Sequence, residues 1–353
     1  MAQAKKQQTI KELAEETALK FFIPVGLVAG FIGYVYNSGH NPLPVLGLHS
    51  IGFPIIVAAI LVTFIFFAYG YLKSLAVESN KTIQQIATPK NCFDTFALSL
   101  PHALLAAVVS GLFIVVLNYA FKGLTLDPLS SSFILGLAAA IIVYLVITLA
   151  MSVTIEAVTA VVISFLLVGV LASMLATDNE NWWQVNFSYL GTFESGVTKI
   201  FNATLVITSL VMLVLVNFLF DSVKEKITED KRVKSKNFQR VKRLFIIAAI
   251  SLGGVGLFSY SRSPLFHDLS AMVLAICFGV MMVSMRLFLP IFPKAFYTIS
   301  YIIAFAMVFG WVFLLNGINY INLTAFELLA AVFCGIWIGL FLRNISLFAK
   351  ETS

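Results

Sequence analysis

The sequence predicts an all-α polytopic membrane protein with ten transmembrane helices and both termini in the cytoplasm. Hydrophobic residues make up 60% of the 353 residues and charged residues only 11%, and the mean hydropathy is +0.96. Soluble domains carry about 25% charged residues, so the composition excludes a soluble fold. The apolar residues form continuous runs long enough for a helix to cross a bilayer, whereas the strands of a membrane barrel would alternate apolar and polar residues.

The positions of the basic residues predict the orientation. When the apolar runs are threaded through a membrane from the cytoplasm, all of the 23 Lys and Arg residues except Lys122, Lys199 and Arg262 fall on the cytoplasmic side. Basic residues concentrate on cytoplasmic loops in membrane proteins. We therefore expect an integral protein of the plasma membrane, with the connections before the second, fourth, sixth, eighth and tenth runs outside.

The ten runs follow a mostly polar segment, residues 1–20, which we expect to be a short helix on the cytoplasmic face. The first four runs cover residues 21–36, 51–72, 100–121 and 133–151. The fifth run starts after a short turn and ends near residue 176, and the others cover residues 200–220, 244–260, 269–289, 296–315 and 325–342. Residues 347–353 form the cytoplasmic tail.

One outer loop carries most of the polar and aromatic side chains predicted to lie outside. This loop, before the sixth run, contains Trp182, Trp183, Ser188 and Glu194, and Asn202 lies about one turn into that run. Such side chains could bind a lipid headgroup, a sugar or a cation. The alternative is a solvated loop with an aromatic anchor at the membrane interface.

A second outer loop, between the seventh and eighth runs, contains Arg262, His267 and Asp268. Because consecutive helices tend to pack as neighbours, we expect His267 to come within reach of residues 188–202, under a roof formed by the two tryptophans. Histidine is the side chain that changes charge near neutral pH. Asp268, Glu194 and Arg262 are expected to influence its charge state.

The sequence indicates no catalytic residue, metal site or cofactor. It contains no phosphate-binding loop, zinc-ligand spacing or nucleophile elbow, and Cys92, Cys277 and Cys334 lie far apart. The basic residues cluster at helix ends, so we do not expect nucleic acid as a partner. Membrane lipids are the expected partners, with a protein partner as a further expectation, and the sequence leaves the oligomeric state open.

Two phrases, FSYLGTFESGVTKIFNATL and GGVGLFSYSRSPLFHDLSAMVLAICF, resemble the DRAM and Sfk-type superfamily of six-span membrane proteins, most nearly its prokaryotic relatives of unknown function. The resemblance is carried by Ser188, Gly191, Phe201, Asn202, Gly256, Phe258, Pro264, His267 and Ala271. It implies a six-helix part over residues 153–346 and leaves residues 21–152 as a separate four-helix part. It also implies a role in lipid organisation or membrane recruitment and no established enzymatic activity.

The function we expect is that of a non-enzymatic envelope protein that associates with lipids or a partner through its outer loops. One alternative is a secondary transporter with five-plus-five inverted repeats. The first run, with Pro24 and several glycines, is breakable as such a transporter requires, whereas residues 200–220 contain neither Gly nor Pro. The other alternative is an intramembrane enzyme with His267, Asp268 and Glu194 as acid–base groups.

Overall fold

A computed structural model of the protein describes residues 2–192 and 196–350, and the structure is 82% helical. Ten helices in the described part of the chain have 16 residues or more, and nine of them are long and apolar enough to cross a membrane. The protein is therefore an all-α multi-pass membrane protein. Its internal contacts divide it into two compact units, Met1–Val158 and Thr159–Ser353.

Unit 1 contains four long helices, one short helix and two short strands. They are α1 (Ala2–Asn37), β1 (Leu43–Pro44), α2 (Gly52–Ser79), α3 (Ile83–Ile86), α4 (Pro89–Ala120), β2 (Thr125–Leu126) and α5 (Pro128–Met151). The first four residues of helix α6 (Ile155–Ala176) are the last residues of unit 1. Within the unit, α1 packs on α5, and α2 packs on both α4 and α5.

Helices α1 and α5 pack closely because glycines face each other. A Cβ atom on Gly136 would lie 2.7 Å from the carbonyl oxygen of Gly26, and one on Gly30 would lie 3.1 Å from the carbonyl oxygen of Ser132. In membranes, small residues allow helix backbones to approach and gain van der Waals packing. The glycines expected to make the first run breakable lie instead in a continuous helix that also includes Pro24.

The polar segment 1–20 is not a separate helix, because α1 runs through it into the first span. The side chains of Ala14, Thr17 and Ala18 are at most 2% exposed, and Lys73 Nζ donates a hydrogen bond to Thr17 Oγ1 at 2.7 Å. One face of this segment therefore packs into unit 1.

Helix α4 begins at Pro89, well before the third predicted span, since proline is favoured in the first turn of a helix. His102, near the start of the third apolar run, therefore lies inside α4. Its ring stacks on Phe67 with the centroids 4.1 Å apart, and its Nδ1 lies 2.7 Å from the carbonyl oxygen of Leu98. Asp94, assigned by sequence to a connecting segment, is 6% exposed on the same helix.

The two connections at the other end of unit 1 are joined by a two-stranded antiparallel sheet. Strand β1 pairs with β2, with Leu43 opposite Leu126. Immediately after β2, Asp127 caps α5 and accepts a hydrogen bond from the Ser130 hydroxyl at 2.6 Å. That bond, together with bonds from backbone N–H groups, holds the pKa of Asp127 below its usual value.

Unit 2 contains the rest of α6, two short 3-10 turns and five further long helices. The turns are Trp182–Gln184 and Phe187–Gly191, and the helices are α7 (Gly196–Glu229), α8 (Ser235–Leu257), α9 (Pro264–Phe288), α10 (Lys294–Phe309) and α11 (Leu323–Lys350). A π-helical segment, Gly310–Leu315, continues α10. Consecutive helices from α7 to α11 pack on each other.

The middle of unit 2 is organised around Trp337, which is 0% exposed. Its ring lies against Phe245, Phe278 and Phe341, with centroid distances of 6.1, 6.2 and 5.7 Å. Its Nε1 donates a hydrogen bond to Ser300 Oγ at 2.9 Å. These contacts satisfy the polar edge of the indole within an aromatic core.

Helix α8 is the long helix that falls outside the nine candidate spans. Its first turns carry four basic residues, Lys236, Arg240, Lys242 and Arg243, and apolar residues follow up to Leu257. Helix α8 is as long as some of the nine candidate spans, and it differs from them by the charged residues in its first turns.

Candidate functional site

The candidate site lies at the predicted outer end of unit 2 and is built around residues 177–192, the segment we call the 177–192 loop. Its underside rests on a buried apolar cluster of Leu190, Phe201, Leu205 and Val255. Two 3-10 turns make the loop compact, so its polar groups have defined neighbours on α7, α9 and α11.

His267 connects the loop to α9. It is 5% exposed, and its Nε2 lies 3.0 Å from Ser188 Oγ. The prediction that His267 comes within reach of residues 188–202 is therefore confirmed. Pro264 and Ser263 begin α9, so His267 lies in its first turn, facing the loop.

The second ring nitrogen determines the direction of that hydrogen bond. Nδ1 of His267 lies 2.8 Å from the carbonyl oxygen of Phe258, which can only accept. Nδ1 therefore carries a proton, and in the neutral imidazole Nε2 accepts the hydroxyl proton of Ser188. The edge of the Tyr260 ring lies beside the imidazole, with the centroids 5.8 Å apart.

Asn202 holds the end of the loop. Its Nδ2 donates to the carbonyl oxygen of Gly191 at 3.2 Å. A Cβ atom at Gly191 would lie 2.4 Å from Asn202 Oδ1, and one at Gly256 on α8 would lie 2.7 Å from the Asn202 carbonyl oxygen. The amide of Asn202 therefore bonds to the backbone of the loop, and two glycines provide the space for it.

The two tryptophans do not form a common roof. Trp182 packs against Phe187 and the apolar cluster, with ring centroids 6.5 Å apart. Trp183 is 49% exposed, and its carbonyl oxygen accepts a hydrogen bond from Asn322 Nδ2 at 2.9 Å. Neighbouring residues in a tight turn point in different directions, so only one of the two can cover the cluster.

The chain has no match among models of known protein families, curated proteins or solved structures.

The structure describes two of the three charged residues predicted around His267. Asp268 and Arg262 are exposed, and no hydrogen bond joins Asp268 to His267 in the described part of the chain. Successive residues on a helix point about 100° apart, so a buried His267 turns Asp268 outward. Glu194 lies outside the described residues.

The carboxylate that contacts the loop is Glu327, which the sequence places near the outer end of the tenth run but which was not assigned to the site. Glu327 in α11 accepts a hydrogen bond from the backbone N–H of Phe187 at 2.5 Å, across 140 residues of sequence. A single carboxylate in an otherwise apolar span is a signal that could have identified it. Within residues 2–192 and 196–350, no three His, Cys, Asp or Glu side chains are placed to hold a metal ion.

Proposed function

We propose that the chain crosses the plasma membrane of a prokaryote ten times, with α8 as the seventh crossing and both termini in the cytoplasm. Two contacts show α8 paired with α7, a candidate span, at both ends: Lys242 Nζ lies 3.2 Å from Asp221 Oδ1, and Gly256 packs on Asn202. Residues 244–257 rise about 21 Å, and the basic side chains before them can extend to the headgroups.

Cysteine labelling tests this topology in a chain whose native Cys92, Cys277 and Cys334 are replaced. We expect a membrane-impermeant maleimide to label Ser263→Cys in intact cells and Ser235→Cys only after permeabilisation. The two positions flank α8 and α9, so they report directly on whether α8 crosses. External labelling at position 235 would refute the orientation.

The six long helices α6–α11 are the part that we assign to the DRAM and Sfk-type superfamily. The division of the chain after Val158 supports this proposal, because four long helices precede it and six, apart from the first turn of α6, follow it. The same division and the unbroken α1 favour this interpretation over a transporter with five-plus-five repeats.

The function that the geometry supports best is binding of a phospholipid headgroup at the outer face by the surface around the 177–192 loop. The observation that carries this proposal is the bond between His267 and Ser188. It joins two predicted outer loops into one ordered polar surface at the end of a helix bundle. The exposed Trp183 beside it suits the depth of the headgroups, where tryptophan is enriched.

Lipid retention tests the function. The full chain is released from nanodiscs into the gas phase, and native mass spectrometry counts the phospholipids that stay bound. We expect the wild type to retain lipid and His267→Ala to retain about tenfold less, because the loop loses a buried hydrogen bond. Asp268→Ala, altered at the adjacent exposed residue, is the matched control. Equal retention by the two variants would argue against the proposal.

A further inference from the structure

Glu327 is an unusual group for its position. It is partly buried near the start of α11, a candidate span. Among the described residues, its carboxyl group has one hydrogen-bond donor, the N–H of Phe187, which bonds to Oε2. No Lys or Arg side chain forms an ion pair with it among the residues that the structure describes. A carboxylate withdrawn from water is strongly destabilised unless a cation or several donors compensate it.

Two further buried oxygen atoms, one on α11 and one in the 177–192 loop, have no hydrogen-bond partner in the described part of the chain. Thr324 is 3% exposed, and its Oγ1 has no hydrogen-bond partner within residues 2–192 and 196–350; the same holds for the buried Oδ1 of Asn186. Thr324 precedes Glu327 by three residues, so both lie on one face of α11. Asn186 directly precedes Phe187 in the chain, and the N–H of Phe187 donates a hydrogen bond to the Glu327 carboxylate.

We propose that Glu327, Thr324 and Asn186 bind the primary ammonium group of an aminophospholipid headgroup such as ethanolamine. Three acceptor oxygens, one of them on a carboxyl group without an ion-pair partner among the described residues, are complementary to a cation that carries three N–H donors. The inference rests on the proposed lipid-binding function and adds the chemical class of the headgroup. A choline headgroup has no N–H and cannot satisfy these oxygens.

The position in the fold favours a lipid over a soluble amine. Glu327 lies near the end of a membrane-spanning helix, and large exposed aromatic side chains surround this end of unit 2: Trp183, Trp311 and Tyr320. Aromatic residues of this kind mark the headgroup layer, so the acyl chains of a bound lipid would lie along the apolar surface of the bundle.

The test compares headgroups in nanodiscs of equal charge composition. Wild-type protein is placed in phosphatidylglycerol nanodiscs that contain equal amounts of phosphatidylethanolamine and phosphatidylcholine, and the lipids that stay bound are identified by native mass spectrometry. We expect about tenfold preference for phosphatidylethanolamine, the effect of a charge-assisted hydrogen bond set. Glu327→Gln keeps an acceptor for the Phe187 N–H but removes the charge, and it should abolish the preference.

Two further variants test whether the headgroup preference depends on this site or on any carboxylate of the loop. Thr324→Val keeps the shape and loses the hydroxyl, so it should reduce the preference by a few-fold. Glu180→Gln removes an exposed carboxylate from the same loop and should leave the preference unchanged. A wild type without preference, or a preference that survives in Glu327→Gln, would overturn the inference.

The outcomes distinguish the inference from the function on which it rests. If wild-type protein retains both headgroups equally and His267→Ala loses both, the lipid-binding function stands and the ammonium site is wrong. If wild-type protein retains no phospholipid, both are wrong. If free ethanolamine displaces the bound lipid at equimolar concentration, the ligand is a soluble amine, and the headgroup assignment is overturned.

Discussion

Trp337→Ala is expected to destabilise the protein by about 2–4 kcal/mol. The indole is 0% exposed and in contact with several phenylalanine rings, so truncation leaves a cavity between helices that pack from different parts of unit 2. The cost should lie below that of a tryptophan in a soluble core, because apolar side chains in a membrane exchange protein contacts for lipid contacts and not for water. The remaining cost comes from lost packing and from the loss of the hydrogen bond that Trp337 donates to the Ser300 oxygen.

Thermal unfolding of the full chain in detergent measures this effect through the thiol of Cys277, which is 4% exposed and reacts with a maleimide dye only after unfolding. The exposed Cys92 and the partly exposed Cys334 are replaced by serine beforehand. Trp337→Phe keeps most of the ring packing and should cost about 1 kcal/mol for the lost hydrogen bond. Trp311→Ala, at a tryptophan that is 48% exposed, should change stability little. Equal destabilisation by the two alanine variants would contradict the assignment of a core around Trp337.

His267→Ala is expected to loosen the 177–192 loop without unfolding the helices. The substitution removes a buried ring that bonds both to Ser188 and to the Phe258 carbonyl oxygen. Leaving buried polar groups unpaired costs about 1–3 kcal/mol. Amide hydrogen exchange in the loop should therefore accelerate by about tenfold or more, while exchange in α7 and α9 beyond their first turns stays unchanged.

Two conservative substitutions divide that effect between the two hydrogen bonds. Asparagine at position 267 can still donate to the Phe258 carbonyl oxygen, whereas glutamine has the reach to contact Ser188. Each should restore part of the protection, and Ser188→Ala should resemble the asparagine variant. Loop exchange as slow in His267→Ala as in the wild type would show that the bond does not hold the loop.

Much of the fold was predictable from the sequence because it depends on local properties. A helix in a membrane satisfies its own backbone hydrogen bonds, so each apolar run indicates a span without knowledge of its neighbours. The helix boundaries were less predictable. Helix α4 starts at Pro89 and α1 includes residues of the polar segment, because helices continue beyond the hydrocarbon wherever a proline start or a packed face supports them.

The site was predictable only in part. The meeting of His267 and Ser188 followed from the tendency of consecutive helices to pack as neighbours. Asp268 is exposed and forms no hydrogen bond with His267 in the described part of the chain, since the rotation of α9 about its axis determines which of two adjacent residues faces the loop. The contact of Glu327 with the loop was not predicted, because its partner is a backbone N–H that no sequence pattern identifies.

The sequence by itself determined that this is a multi-pass helical membrane protein, and it predicted which end carries the polar loops, because composition and the order of the apolar runs are properties of the chain alone. Only the tertiary structure decided that His267 bonds to Ser188 and Phe258, that Glu327 bonds to the loop, and that Trp337 forms a core. These contacts join residues far apart in sequence and depend on helix rotation and close backbone approach. Both are set by the packing of the whole unit and not by any local segment.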